Sequence, residues 1–294
     1  MHTDPYLPAK STLYVVATPI GNLRDMTPRA LDVLAAADVI AAEDTRVTGQ
    51  LLKYFGISKP MVSLREHNER SMADKLVARL QAGEIIAQVS DAGTPGISDP
   101  GAQLAAAAHA AGIAVVPLPG ASALTTALSA SGFDCAHALF YGFLPPKHKQ
   151  RCDAITSFAA LPYLVVIYEA PHRIIDCLQD LHEVLGADRQ IALARELTKT
   201  FETIRRGTLA ELLAFVQSDS NQQRGEFVLV IDAAPPAEQT DADEHDHVLA
   251  PLVAELPLKQ AVALAVSITG APRNALYERA LAIKQAARQD DDED

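Results

Sequence analysis

Short apolar runs alternate with helix-length segments through most of this chain, and that alternation restricts the fold more than any other feature. The spacing predicts strands at 12–17, 38–42, 61–64, 84–89 and 113–117, separated by helices at 28–36, 46–54, 69–82, 102–111 and 121–131. Thr27-Pro28 reads as a helix start, a hydroxyl cap followed by proline at the first helical position, where the missing N–H has no partner to lose. Strands joined through helices argue for a mostly parallel sheet covered on both faces. Residues 132–138 interrupt the pattern and a second alternating unit follows. Its expected strands are 139–143, 163–168, 190–194 and 226–232, and its helices 149–158, 171–185 and 208–217. Phe201 to Arg206 adds one more strand and some antiparallel pairing. The expected class is α/β, with domains at 12–132 and 133–232 and a small-molecule cleft between them.

The flanks differ in kind. Residues 1–11 read as a loose terminus, and the proline-rich, acidic stretch 233–247 as a linker. Helical runs at 249–267 and 272–286, joined by Thr269-Gly270-Ala271-Pro272, make 248–289 a helix-turn-helix-like module or a helical hairpin. Residues 290–294 form an acidic tail. The net charge of −12 looks hostile to nucleic acid, but residues 232–247 hold six acidic and no basic side chains and the tail holds five more acids. The remainder is close to neutral and 248–289 carries +3, so an RNA partner is compatible with the folded body. Aromatics make up only 5% and Trp is absent, which limits surfaces that stack on single strands. Three scattered cysteines with no CxxC pair, and no secretory leader, suggest a reduced, cytoplasmic protein. No apolar run reaches the ~18 residues that cross a bilayer. His245 and His247 lack a nearby Cys or third His, so no metal site is expected.

The chemistry concentrates in loops that follow predicted strands. Ser90-Asp91-Ala92-Gly93-Thr94-Pro95-Gly96-Ile97-Ser98-Asp99-Pro100-Gly101 links an apolar run to a helical one. Its glycines allow close backbone approach, and its aspartates accept from hydroxyl or ammonium groups. With two carboxylates and no Lys or Arg it is not a phosphate cradle; it suits a neutral or cationic cofactor. Loops 18–22, 119–122 and 168–173 also follow strands, and a parallel sheet gathers such loops at one edge. Glu43-Asp44-Thr45-Arg46 and Arg195-Glu196-Leu197-Thr198-Lys199 end two more strands, with helix capping and mutual ion pairing as their simpler readings. Lys147, Lys149 and Arg151 form a basic loop of the kind that grips phosphates or is merely solvated. The chain has no GxxxxGK[ST], no GxGxxG after the first strand, no HExxH and no GxSxG, which argues against phosphate-loop NTPases, ordinary Rossmann dehydrogenases, zincins and α/β-hydrolases.

The ordered motifs ATPIGNLRDMTPRAL, EDTR, SDAGTPGISDPG, PLPGASAL, FYGFLP, YEAPHR, ARELTK and GEFVLVI resemble the tetrapyrrole-methylase-like (class III) methyltransferases, within them the bacterial branch that modifies small-subunit ribosomal RNA. The likeness spans about 12–232, and LPLKQAVALA…RNALYERAL is similar to that branch's C-terminal module. It implies S-adenosylmethionine in the inter-domain cleft, a homodimer, and 2′-O-methylation of a decoding-region cytidine in 16S rRNA of the small ribosomal subunit. It also implies that Asp91, Gly93, Thr94 and Ile97 line the cofactor, that Ser122, Ala123 and Tyr168 cover it, and that Leu197 and Glu226 close the adenine side. A 2′-hydroxyl needs a positioned base, for which Glu43, Asp44, Glu196 and Lys199 are candidates. Arg46, Arg173 and Arg195 join Lys147, Lys149 and Arg151 as candidate RNA contacts. A tetrapyrrole C-methyltransferase and a catalytically silent RNA-binding or ribosome-assembly protein are the alternatives.

Overall fold

The structure, a computed structural model, describes residues 6–134, 136–235 and 245–290, with side chains to residue 285. It divides into two compact units, 1–234 and 235–294. The first unit opens with β1 (Thr12–Val16), α1 (Pro28–Ala36), β2 (Val39–Ala42), α2 (Thr45–Tyr54), β3 (Met61–Ser63), α3 (Glu69–Gln81), β4 (Ile85–Val89), α4 (Ala102–Ala110), β5 (Ala114–Leu118) and α5 (Ala123–Ala130). These five strands form one sheet in the order β3-β2-β4-β1-β5, and every pair in it is parallel.

Burial on both faces explains why the strands read as continuous apolar runs. Tyr14, Val16, Ile40 and Val89 pack with Val33, Leu34 and Leu52 on one face. Leu13, Val39, Ala41 and Ile86, at alternate positions of the same strands, pack with Leu76, Leu80 and Leu104 on the other. Each such fully buried Leu, Ile or Val contributes about 1.5–3 kcal/mol. The helix start at Thr27-Pro28 is formed as the sequence suggests, the Thr27 hydroxyl accepting the Ala30 N–H at 3.2 Å.

The second sheet uses β6 (Ala138–Phe143), β7 (Leu164–Glu169), β8 (Gln190–Arg195), β9 (Thr203–Thr208) and β10 (Phe227–Ile231), with α6 (His148–Phe158), α7 (Ile174–Leu185) and α8 (Leu209–Ser218). Its order is β6-β7-β10-β8-β9. The last strand sits in the middle, antiparallel to both β7 and β8, so antiparallel pairing extends well beyond the hairpin expected near Phe201. This inversion carries the start of β10 to the edge where β7 and β8 end, with Phe227 opposite both Glu169 and Arg195. The expected helix at 171–185 begins as a 3-10 turn over Pro171–Arg173 before α7. One face of this sheet packs on α6, α7 and α8; the other, through Val166, Ala194 and Val228, packs against Ile20 and Ala127 of the first half. That shared core joins the two sheets within one unit.

Among the described residues the second unit holds three helices where two runs were expected: α9 (Asp246–Glu255), α10 (Leu258–Thr269) and α11 (Arg273–Asp290). Pro257 splits the first run: it offers no N–H, and Leu256 before it is extended at φ −124°, ψ 153°. Leu249, Val262, Ala265, Leu276 and Ala280 make its core, and Arg279 pairs with Asp246 at 2.5 Å. Most of the expected linker and the acidic end of the tail lie outside the described residues. Among the described residues no helix is long and apolar enough to cross a membrane.

Candidate functional site

Because the first sheet is all parallel, the loops after β1, β2, β4 and β5 meet at one edge, and hydrogen bonds tie them together. Thr18 and Gly93 exchange backbone bonds of 2.8 and 2.9 Å, and the Thr18 hydroxyl donates to the Ser90 carbonyl at 3.1 Å. The Thr94 hydroxyl donates to the Ala121 carbonyl at 3.0 Å, so its proton braces the loop. The Glu43 carboxylate accepts the Asp91 N–H at 3.3 Å, and the Asp91 carboxylate accepts the Asp44 N–H at 3.0 Å. At the far end of the loop Gly101 has φ 135°, and any side chain there would run into the buried Gln88 amide. Glu69, buried at the start of α3, accepts the N–H groups of Gly101, Gln103 and Leu104 at 2.9, 2.7 and 3.4 Å. Its carboxylate thereby satisfies the open amides at the start of α4.

Between this edge and the second sheet lies a cavity of about 390 Å³, a size suited to a small ligand. Asp91, Gly93, Thr94, Ile97, Ser122, Ala123, Tyr168, Glu226 and Glu43 all line it. Asp99, Phe143 and Glu169 line it too, and residue-level sequence reading passes them over although each lies in or beside a quoted motif. Phe143 and Phe140 meet Tyr168 edge to face at 5.8 and 4.9 Å, giving the cavity an aromatic wall.

Among the described residues the wall carries the carboxyls of Glu43, Asp91, Asp99, Glu169 and Glu226 and no Lys or Arg, while Arg173 and Lys199, outside it, pair with Glu169 and Glu226. Burial and the nearby Glu43 charge push Asp99 up to about 6. Burial also raises Glu43, against the Asp91 N–H, and Asp91 and Asp44 add to the rise. The Glu169 side chain is fully buried beside the Cys177 thiol: Oε1 accepts the Ala170 N–H at 2.8 Å and lies 3.1 Å from Arg173 Nε, whereas Oε2 has no hydrogen-bond partner of ordinary geometry among the described residues. An orphaned buried acceptor and crowded, proton-retaining carboxyls are what a ligand with cationic and hydrogen-bond-donating groups relieves. Three of the non-glycine residues with positive φ, Ser98, Glu196 and Thr198, lie on the two facing loops, where backbone strain commonly marks function.

Other candidate residues separate clearly. Asp44 caps α2 and clasps Arg46, which drives its pKa well below the carboxylate range. Glu196 accepts from Lys199 at 2.7 Å and from the Glu226 N–H at 3.0 Å; burial pulls its pKa up, but these partners outweigh it and the net shift is downward. Burial works to lower Lys199, but Glu196 and Glu226 hold it above its usual value. Neither lines the cavity. Leu197 is buried in the core shared by the two halves and stands behind the cavity wall.

Three of the six expected phosphate contacts have guanidinium groups engaged within the fold. Arg151 is buried and bonds Asp180 at 2.5 Å and the Pro146 carbonyl at 3.2 Å. Arg195 is buried and donates to the carbonyls of Asn221, Arg224 and Phe201 and to the Thr203 hydroxyl. Arg173 donates to the Leu144 and Pro145 carbonyls behind Glu169. All three brace neighbouring loops of the fold. Arg46, Lys147 and Lys149 are exposed. Away from the cavity, His148, Cys152, Asp180 and Glu183 bring ligand-capable atoms within 4.8 Å of one another, with His148 bonded to Asp180 at 2.9 Å.

Residues 12–213 match the tetrapyrrole (corrin/porphyrin) methylase family, and residues 239–284 match the RsmI C-terminal HTH domain. Ribosomal RNA small subunit methyltransferase I of Escherichia coli O157:H7 is 50% identical over 273 residues, covering 93% of this chain and 96% of that protein. The protein of the same name from Pseudomonas aeruginosa is 51% identical over 272 residues, covering 92% and 96%. Among solved structures, uroporphyrin-III C-methyl transferase from Thermus thermophilus complexed with S-adenyl homocysteine aligns with a TM-score of 0.53 at 15% identity, over 75% of this chain and 97% of that one, a likeness of fold.

Proposed function

Because this chain belongs to the tetrapyrrole (corrin/porphyrin) methylase family, and within it to the ribosomal RNA small subunit methyltransferases I, we propose that it is an S-adenosylmethionine-dependent enzyme that methylates the 2′-hydroxyl of a decoding-region cytidine in 16S rRNA. The observation that carries the reading is the carboxylate-lined cavity without a cationic side chain. S-adenosylmethionine bears a sulfonium and an ammonium, and when bound it supplies the electrophilic methyl group. Asp91, Asp99 and Glu226 hold the cationic and hydroxyl-bearing parts, the Gly93–Thr94 backbone lets the ligand approach closely, and Ile97, Phe143 and Tyr168 supply apolar contact.

Glu43 is the general base of this reading. It alone among the four candidates lines the cavity, and its raised pKa makes it a stronger base than the depressed carboxyls of Asp44 and Glu196. With the cofactor bound, it would accept the proton of the ribose hydroxyl as that oxygen takes the methyl group and the carbon–sulfur bond breaks to leave a neutral thioether. Asp91 fixes Glu43 through its backbone N–H, so the base and the cofactor-binding carboxylate share one rigid corner.

The helical module, with exposed Lys259, Arg273 and Lys284, captures ribosomal substrate. β6, at the edge of its sheet with exposed Leu139 and Tyr141, supports assembly as a homodimer. The deciding experiment is transfer of a radiolabelled methyl group to undermethylated 30S subunits, with the product located on the RNA. Label on a cytidine 2′-oxygen is the expected result. Label on a tetrapyrrole, or none on RNA, overturns the reading.

A further inference from the structure

A second cavity, of about 410 Å³, opens beside the first and shares Glu43, Asp91 and Ser98 with it. Resting on the reading above, we propose that this cavity seats the acceptor nucleotide, its flanking phosphate held by Arg46 and Arg65 and its ribose turned toward Glu43.

The polarity of the cavity matches that occupant. Its inner wall, shared with the cofactor cavity, is acidic, and its rim carries Arg46, Arg65 and His67, all exposed, with Glu66 among them. A nucleotide has the same gradient, neutral hydroxyl donors on the ribose and negative charge on the phosphates. The two arginines are also held in place. Arg46 Nε bonds both Asp44 oxygens at 3.0 and 3.2 Å, and Arg65 Nη2 reaches the same carboxylate at 3.5 Å. Arg65 Nε donates to the Glu43 carbonyl at 3.3 Å, and its backbone N–H to Asn68 Oδ1 at 2.8 Å. One carboxylate thus gathers two guanidinium groups, and each retains outward N–H donors, the side chains being 83% and 47% exposed. Ion pairs this exposed add little to stability, so the arrangement is better explained by recognition than by folding. Planar forks fixed at a cavity rim fit phosphate geometry.

Arg65 also couples the rim to the reacting end. It bonds the backbone of Glu43, so the group that grips the phosphate and the group that removes the ribose proton are adjacent links of one network. His67 completes the rim and offers a hydrogen bond or a flat face to the base.

The test compares the full-length protein with the Arg46→Ala/Arg65→Ala double variant, Arg65→Lys, and Arg70→Ala, an exposed cation on α3 outside the cavity. Binding to undermethylated 30S subunits is measured against KCl concentration with S-adenosylhomocysteine present, and cofactor affinity by calorimetry. Loss of two phosphate contacts lowers the slope of log K against log salt by about 1.4, from about 0.7 per contact to single-stranded nucleic acid. KM for 30S is expected to rise roughly tenfold or more as phosphate contacts are lost, with kcat less affected, cofactor affinity unchanged, and Arg65→Lys restoring the slope but not the full KM. A double variant with native salt slope and KM overturns the proposal, as does an equal loss in Arg70→Ala or a loss of cofactor affinity. If the wild-type protein binds 30S but transfers no methyl group, the enzymatic reading fails instead.

Discussion

Glu43 and Asp91 position each other: the Glu43 carboxylate accepts the Asp91 N–H at 3.3 Å, while the Asp91 carboxylate accepts the N–H of Asp44, the residue after Glu43. The turns that follow β2 and β4 are thereby locked together, and both acidic side chains face the same cavity. Removing either one is expected to disturb more than its own contact with ligand.

Asp91→Ala is expected to weaken S-adenosylmethionine binding by roughly 10- to 150-fold, the loss of a charge-assisted hydrogen bond worth about 1.5–3 kcal/mol. Asp91→Asn keeps an acceptor for the Asp44 N–H and separates the turn from the charge. Calorimetry on both variants checks this, and unchanged affinity in folded Asp91→Ala excludes a cofactor role.

Glu43→Gln is expected to lower kcat by about 10²–10⁴-fold with little change in cofactor affinity. Its raised pKa also fixes the sign of the pH dependence. The base acts ionised, so the wild-type rate falls as pH drops through that pKa, and the Gln variant loses this acid limb. Single-turnover rates across pH test both points.

Asp99 makes a prediction about stability. Its folded pKa, about 6, lies above the ordinary aspartate value, so between the two the folded state holds a proton that the unfolded state has released. Its contribution becomes more unfavourable as pH rises through that window and is fully unfavourable above it. Asp99→Asn should therefore raise Tm at pH 7.5, on the order of 2–4 °C per kcal/mol recovered, and the gain should vanish below about pH 4. A cationic ligand favours ionised Asp99, so wild-type binding should release protons near pH 6, measurable by calorimetry in buffers of differing ionisation enthalpy.

Arg151→Ala is expected to destabilise the fold by about 3–5 kcal/mol, because it leaves the buried Asp180 carboxylate short of its guanidinium partner. Denaturant titration measures the loss. RNA affinity of the folded fraction should not change; a specific loss there restores Arg151 as a phosphate contact.

Deleting residues 235–294 removes one compact unit and is expected to leave S-adenosylmethionine affinity intact. KM for 30S subunits should rise roughly tenfold or more, since a tethered module raises the effective concentration of the body at its target. Equal activity of the truncated chain excludes the capture role.

What the sequence revealed follows from which forces are local. Leu13 and Tyr14, adjacent and on opposite faces, carry the period and the apolar run that identify a doubly covered strand. Thr27-Pro28 carries its own cap. Strand order is not local: Phe227–Ile231 is apolar throughout and would read the same at an edge as at the centre, where it lies antiparallel to both neighbours. The loop-bracing arginines were hidden for the same reason, since Arg151 and Asp180 are 29 residues apart. Pro257 was a visible signal that the apolar periodicity on either side of it masked. Glu169 and Asp99 were in view within their loops, but their burial, which gives them chemical interest, arises only when the two sheets come together.

The bonds from Glu69 to the first amides of α4 have a consequence for ligand choice. The start of a helix following a glycine-bearing loop is where many α/β proteins seat a phosphate or carboxylate. Here that seat is filled by the chain's own side chain, 32 to 35 residues away in sequence. The amide-rich start of α4 is therefore plugged from behind with an internal counter-anion. The start of α4 is thus closed to an outside anion, and a single glutamate outside the cavity keeps it closed.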